Sequence, residues 1–344
     1  MIRLINNQQK QREANMELLR IVAMFLVLAV HTNDAALGEL MRDDLTANVQ
    51  NGSFRLLYEA LAIVCVDVFV LISGWFGIRP SVHGMAKFVF HCCYFYILLA
   101  VIPLVTGTMT IRELGSVLRE GNTYWFVCSY IGLYLLSPVI NTFFEHATSR
   151  QALCVTACYW IFLLYYGWLI CERQFHSGYS TISFVGLYLL ARYVRIYGTR
   201  LTVLSAKWYM IIYILCAAVC AGIGFISLWL NIVPTSVMPR MWSYLSPIVV
   251  IESMALLLFF SKFSFSSRLV NTLAAGSFGV FLLHLHPVVY PYYITYAARI
   301  WEQYSGNLWV YSAVIMGYVT AVYLIGWALD MVYQCLFMGL SRKR

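Results

Sequence analysis

The chain has 344 residues, 61% hydrophobic and 16% aromatic against 11% charged, with a mean hydropathy of +0.74, far outside the composition of soluble domains. A soluble fold is thereby excluded, and the net charge of +8 is accounted for by membrane topology and anionic lipid without invoking nucleic acid. The first fifteen residues are polar (MIRLINNQQKQREAN), unlike a cleaved signal sequence, so the first apolar span is expected to be retained.

Apolar runs of about 20 residues separated by polar or Pro/Gly breaks place ten spans near 16–36, 55–77, 85–107, 123–144, 152–171, 180–198, 208–230, 243–261, 271–293 and 309–336. Each is too long for a membrane strand and lacks barrel alternation, so the fold class is all-α, a polytopic integral membrane protein. Residues 1–15 and a basic tail at 337–344 flank a single transmembrane domain. With the N-terminus cytoplasmic, fifteen Lys and Arg fall in inner segments and seven in outer ones, the bias expected of cytoplasmic loops. Both termini are then cytoplasmic. The longest outer loops, 37–54 and 108–122, are short, so chemistry is expected in or at the membrane.

The first span carries Arg20 and His31, eleven residues apart. At 100° per residue that spacing returns to within about 20° of one face and separates them by roughly 16 Å. Ionisable side chains in such a stripe must find partners or water, and Asp34 stands one turn beyond His31, placed to orient the ring or to cap the helix end. In the second span Glu59 lies near the outer side, Asp67 near mid-depth, and Ser73 and Gly74 near the cytoplasm. Asp67 and Gly74 share a face, so Gly74 offers either a helix-packing contact or a close approach to ligand. The third span begins with Lys87 and His91. The fourth holds Trp125, Tyr130, Ser137-Pro138 and Asn141, which could line a ligand path, although aromatic residues also concentrate at interfaces. Arg192 and Arg195 cut into the sixth span. Glu252 in the eighth and Asp330 in the tenth are expected to partner basic residues. In the ninth, His284 and His286 are two apart, so only one can face a shared cavity. His284 is the deeper, whereas the end of the HLHP stretch is expected near a solvated interface.

The ten cysteines show no paired two-residue spacing and read as small apolar packing residues. No ligand cluster points to a metal, and no nucleotide loop or internal repeat is present.

The Arg20 to His31 spacing followed by VDVFVLISGWF at 66–76 resembles the membrane acyltransferase family 3, integral-membrane O-acyltransferases that modify surface polysaccharides and related glycans. WFVCSYIGLYLLSPVIN at 125–141 and GSFGVFLLHLHP at 276–287 are similar to later spans of that family. The resemblance covers essentially the whole chain. It implies transfer of an acyl group, most commonly acetyl, from cytoplasmic acyl-CoA to a hydroxyl of a cell-surface polysaccharide or lipid-linked sugar. It further implies a bacterial inner-membrane location and no permanently bound cofactor. Carried over by position, His31 matches the catalytic histidine, Arg20 its basic partner, and Asp67 with Ser73 and Gly74 the second motif; Trp125 and His284 join Ser73 and Gly74 as expected substrate contacts. Family members often place a basic cluster after the second span, where this chain offers Arg79, Lys87 and His91. The residues support the same chemistry independently. Acyl transfer to an alcohol needs a base, and histidine titrates in the useful range, while a permanently charged planar guanidinium suits phosphate or a developing anion. A secondary transporter would also bury such residues but more often shows broken helices in matching halves. A non-catalytic membrane protein would need Arg20 and His31 for folding alone.

Overall fold

The computed structural model describes residues 13–120, 124–198, 200–232 and 240–341, so most of the expected N-terminal segment lies outside the described residues. Among them every regular element is helical. In chain order these are α1 (Ala14–Leu37), α2 (Arg42–Ala47), α3 (Val49–Ala62), α4 (Cys65–Phe76), α5 (Val82–Val105), α6 (Ile111–Glu120), α7 (Trp125–His146), α8 (Ser149–Phe162), α9 (Thr181–Tyr197), α10 (Ala206–Leu230), α11 (Pro247–Ser261), α12 (Arg268–Ala275), α13 (Ser277–His284), α14 (Tyr290–Tyr304) and α15 (Leu308–Ser341). A wider helical turn over Leu163–Leu169 extends α8.

Seven stretches are long and apolar enough to cross a bilayer: α1, α3 with α4, α5, α7, α8 with its extension, α10 and most of α15. The protein is an all-α, multi-pass integral membrane protein. Large apolar side chains such as Val105, Leu135, Val139 and Ile161 remain exposed around the bundle, where lipid would cover them. The expected spans at 180–198 and 243–261 correspond to α9 and α11, which are shorter, at 17 and 15 residues.

Helices also occupy segments that hydropathy leaves between and after the spans. The outer loop 37–54 contains α2 and the start of α3: the Asp44 carboxylate accepts from Met41 N at 3.1 Å, capping a short turn that buries Leu45. Loop 108–122 likewise contains α6, whose start is closed by Glu113 accepting from Thr110 N at 2.7 Å. Helix α15 continues past residue 337 to Ser341.

The ninth span is not one helix over 271–293 but a broken rod running to Tyr304. A turn at Gly276 separates α12 from α13, and a turn over 285–289 separates α13 from α14. That turn lies deep in the bundle. Tyr293 Oη donates to Leu28 O at 2.8 Å and Tyr318 Oη to Tyr293 O at 3.0 Å, and Tyr318 stands about 15 Å along α15 from its start. Irregular backbone at such depth is tolerated only where protein satisfies it or a cavity borders it. Here His286 does much of that: its Nδ1 accepts from Val288 N at 3.2 Å and its Nε2 lies 3.2 Å from Tyr96 O. His286 is fully buried, which corrects the expectation of a solvated imidazole.

Helix α1 is the centre of the bundle, packing against α3, α4, α11, α12, α13, α14 and α15. In keeping with that, 61% of its apolar window is buried and 67% of the α3–α4 window, against 22–33% for the other five membrane stretches. At one end, the start of α1 meets the ends of α9 and α11: Asn15 Nδ2 donates to Phe260 O at 3.0 Å, and Arg195 lies 4.0 Å from Glu13. This is the basic end, the one expected to be cytoplasmic. Reporter fusions at Ala47 and at the C-terminus should therefore report opposite sides, the former outside. Finding both on one side would overturn the orientation.

Close helix packing depends on absent side chains. Where α4 crosses α9, a Cβ on Gly74 would stand 2.8 Å from both Ala191 Cβ and Tyr188 O. Where α15 crosses α13, a Cβ on Gly326 would stand 2.7 Å from Val280 Cα. Such small-residue crossings let backbones approach where no hydrophobic effect drives helices together.

Candidate active site

One face of α1 organises the interior. Residues 17, 20, 24, 27, 31 and 34 follow the three- and four-residue steps of a single helical stripe. At the basic end, Glu17, Arg20, Met24 and Val27 line a cavity of about 350 Å³ completed by Ser73, Phe88, Tyr130, Phe278 and Phe281, a volume in the range of small-ligand pockets. At the opposite end, Val30, Asn33 and Asp34 line a second cavity of about 290 Å³ with Arg55, Glu59, Tyr179 and Trp242. Val27 and Val30 are only about 4.5 Å apart along the helix axis. His31 belongs to neither lining and lies along the helix between Val27 of the first and Asp34 of the second.

Arg20 is a third exposed, and its Nη1 lies 2.6 Å from Glu17 Oε1. Its partner is thus an acid one turn earlier that the sequence reading did not single out, although the i,i+3 spacing was visible. Ser73 Oγ donates to Phe69 O at 3.0 Å, and Tyr130 Oη lies 3.1 Å from it. Ser73 and Arg20 therefore share one cavity. The aromatic lining, with Phe88 and Phe278 stacked at 5.0 Å between centroids, makes the rest of this chamber apolar.

His31 is half-buried, with the His284 ring 5.3 Å away and the Tyr290 ring 5.7 Å away, edge-on. His284 ends α13 just before the break and is fully buried. Its Nδ1 donates to Val280 O at 2.9 Å, which leaves Nε2 as an acceptor, and that atom is buried without a hydrogen-bond partner. A bare imidazole nitrogen beside a second imidazole suits proton transfer. His286, two residues on, turns to α5 instead. Asp34 makes no hydrogen bond to His31 among the described residues; it lines the opposite-end cavity, and its carbonyl accepts from Gly38 N.

Asp67 and Gly74 are not brought to this pair. Asp67 is fully buried against α11, where Ser253 Oγ lies 3.5 Å from its Oδ2, and it lines neither cavity. Gly74 meets α9, as described above. Trp125 packs among Tyr179, Phe184 and Tyr244, outside both linings. Asn141 donates to Ile78 O at 2.7 Å and accepts from Tyr188 Oη at 2.7 Å, tying α7 to the end of α4. Among the acids, Asp330 has the expected basic partner, His91 Nε2 at 2.5 Å. Glu252 does not: it is fully buried beside Asp67, and neither of its carboxylate oxygens has a hydrogen-bond partner. Since Asp330 and the stacked Tyr333 ring occupy His91, other cations furnish the basic end. Arg195 lies over the Trp75 ring at 4.6 Å, and Arg192 borders Gly77, both reaching α4 from α9.

The opposite-end cavity was not anticipated from sequence. Asn33 bridges α1 to α3: its Nδ2 donates to Glu59 Oε2 at 2.8 Å, and its Oδ1 accepts from Arg55 Nε at 3.1 Å. Arg55 Nη2 donates to Gly38 O at 2.5 Å. Thr32 and Tyr58 pair alongside at 3.0 Å.

A family model described as an acyltransferase domain matches residues 13–327. No curated protein and no solved structure matches the chain.

Proposed function

The chain belongs to acyltransferase family 3, and from that premise we propose that it is a membrane O-acyltransferase moving an acyl group, commonly acetyl, from cytoplasmic acyl-CoA to a glycan hydroxyl at the outer face of a bacterial inner membrane. One observation carries this reading: α1 contributes to a cavity at each end of the bundle, and His31, paired with the His284 ring, lies between Val27 of one lining and Asp34 of the other along the helix. Acyl-CoA approaches from the basic end, with Arg20, Arg192 and Arg195 near its phosphates and its acyl arm in the aromatic chamber. The acceptor enters from the opposite end.

In the transfer, the acceptor oxygen bonds to the thioester carbonyl carbon and the carbon–sulfur bond breaks. His31 takes the hydroxyl proton and returns it to the departing thiolate, so no net proton or electron is required. His284, with its Nε2 bare, holds or relays that proton. Asp67, remote from this pair, acts as a positioning residue through α4 and Ser73, and Trp125 supports the aromatic wall from behind. Family membership favours this reading over the transporter, although the break at 285–289 is a feature transporters share.

Arg20→Lys keeps the charge but loses the planar fork. It should raise the KM for acyl-CoA about tenfold, the effect of about 1.4 kcal/mol, with little change in acceptor KM. Steady-state kinetics on folded protein reads this, and unchanged acyl-CoA dependence would remove Arg20 from the donor site.

A further inference from the structure

Resting on the acyl-transfer reading, the geometry points to the opposite-end cavity as the acceptor site, and we propose that it selects a neutral or amino sugar and discriminates against a uronate. Asp34, in its lining, stands three residues beyond His31 on α1, about 4.5 Å further along the axis, which makes it the cavity nearest the base on the outer side. Tyr179 and Trp242 supply flat aromatic walls, the surface against which the apolar face of a pyranose packs.

Its charge is lopsided. Two exposed carboxylates, Asp34 and Glu39, line it together with the buried Glu59 carboxyl, against the one guanidinium of Arg55. Arg55 is buried, with Nε and Nη2 already committed to Asn33 and Gly38. It holds α1 to α3 and is not displayed as an anion receptor. Asp34 and Glu39, by contrast, are exposed. Glu59 is fixed by Asn33 and offers a hydrogen-bonding carboxyl to sugar hydroxyls, while Asp34 and Glu39 can meet an ammonium. A carboxylate brought within about 6 Å of one of these acids is repelled by about tenfold to a hundredfold in affinity at an effective dielectric of about 20–40. An ammonium gains by the same interaction.

The test uses the full chain in lipid nanodiscs and reads binding directly, by saturation-transfer NMR and calorimetry, with methyl β-D-glucopyranoside, its 2-amino analogue and methyl β-D-glucuronide. The two former should bind, the uronide at least about tenfold more weakly, and 0.5 M salt should narrow the gap by screening. In Asp34→Asn/Glu39→Gln the gap should close while the neutral glycoside still binds. Trp242→Ala should weaken all three. Equal binding of the uronide by the wild type, or a gap unaltered in the double variant, overturns the charge selection. Absence of binding by every glycoside, or binding indifferent to Trp242→Ala, places the acceptor elsewhere. Because these readouts need no acyl-CoA, they are separate from the transfer reading, which fails instead if no CoA is released from acyl-CoA in the presence of any acceptor.

Discussion

His31→Ala is expected to lower acyl transfer by about 10²–10⁴-fold per folded protein, the contribution of a positioned general base, with membrane insertion and acyl-CoA binding retained. The ring is half-buried, so its removal costs little packing. The measurement is acylated product per unit of monodisperse protein for wild type, His31→Ala and His284→Ala. His284 is fully buried and bonded to Val280, so its alanine variant should lose stability as well as rate, and His284→Gln, which keeps a polar group in nearly the same volume, separates the two effects. Near-normal activity in His31→Ala would sink the assignment. A collapse confined to the His284 variants would move the base to α13.

Gly74→Leu should produce the largest structural effect. Even a methyl group at this position meets Tyr188 O and Ala191 Cβ at 2.8 Å, and neither is the movable end of a flexible side chain. Overpacking a close crossing costs typically about 1–3 kcal/mol, and a leucine forces α4 away from α9 altogether. Since α4 carries Ser73 to the basic-end cavity and Asp67 to α11, the consequence is loss of folded protein, visible as a lowered thermal midpoint and aggregated fractions on size exclusion. Gly74→Ala should fall between. If instead Gly74→Leu remains as stable as wild type and only its substrate KM rises, then Gly74 borders ligand and the packing role is wrong.

These two residues show how unevenly the site can be read from the chain alone. His31 and Arg20 are legible because they lie on one helix, and a helix fixes the angle and rise between its residues whatever surrounds it. Gly74 is ambiguous for the converse reason. A glycine on a membrane helix is equally suited to a helix partner and to a ligand, and only the identity of the neighbour, Tyr188 on α9, resolves it.

The ninth span makes the same point about backbone. Its apolar run reads as one helix because hydropathy counts side chains and is blind to which peptide groups are hydrogen-bonded. What makes a break tolerable at depth is that His286 Nδ1 accepts from Val288 N while its Nε2 is held by Tyr96 O, 190 residues away, and no local window contains both. Glu252 failed in the opposite direction: a buried acid suggested a basic partner, and the fold supplied Asp67 as its neighbour.

By itself, then, the sequence determined the all-helical membrane class, the likeness to a transferase family and the stripe of ionisable residues on the first span, all consequences of composition and of one helical period. Tertiary structure alone decided that His284 meets His31 across 253 positions, that Asn33, Arg55 and Glu59 knit a polar cavity at the end of the bundle opposite Arg20, and that Asp67 faces α11 instead of that stripe. The physical reason is that helix periodicity fixes which residues share a face, whereas the partner of that face is chosen by packing among helices distant in sequence.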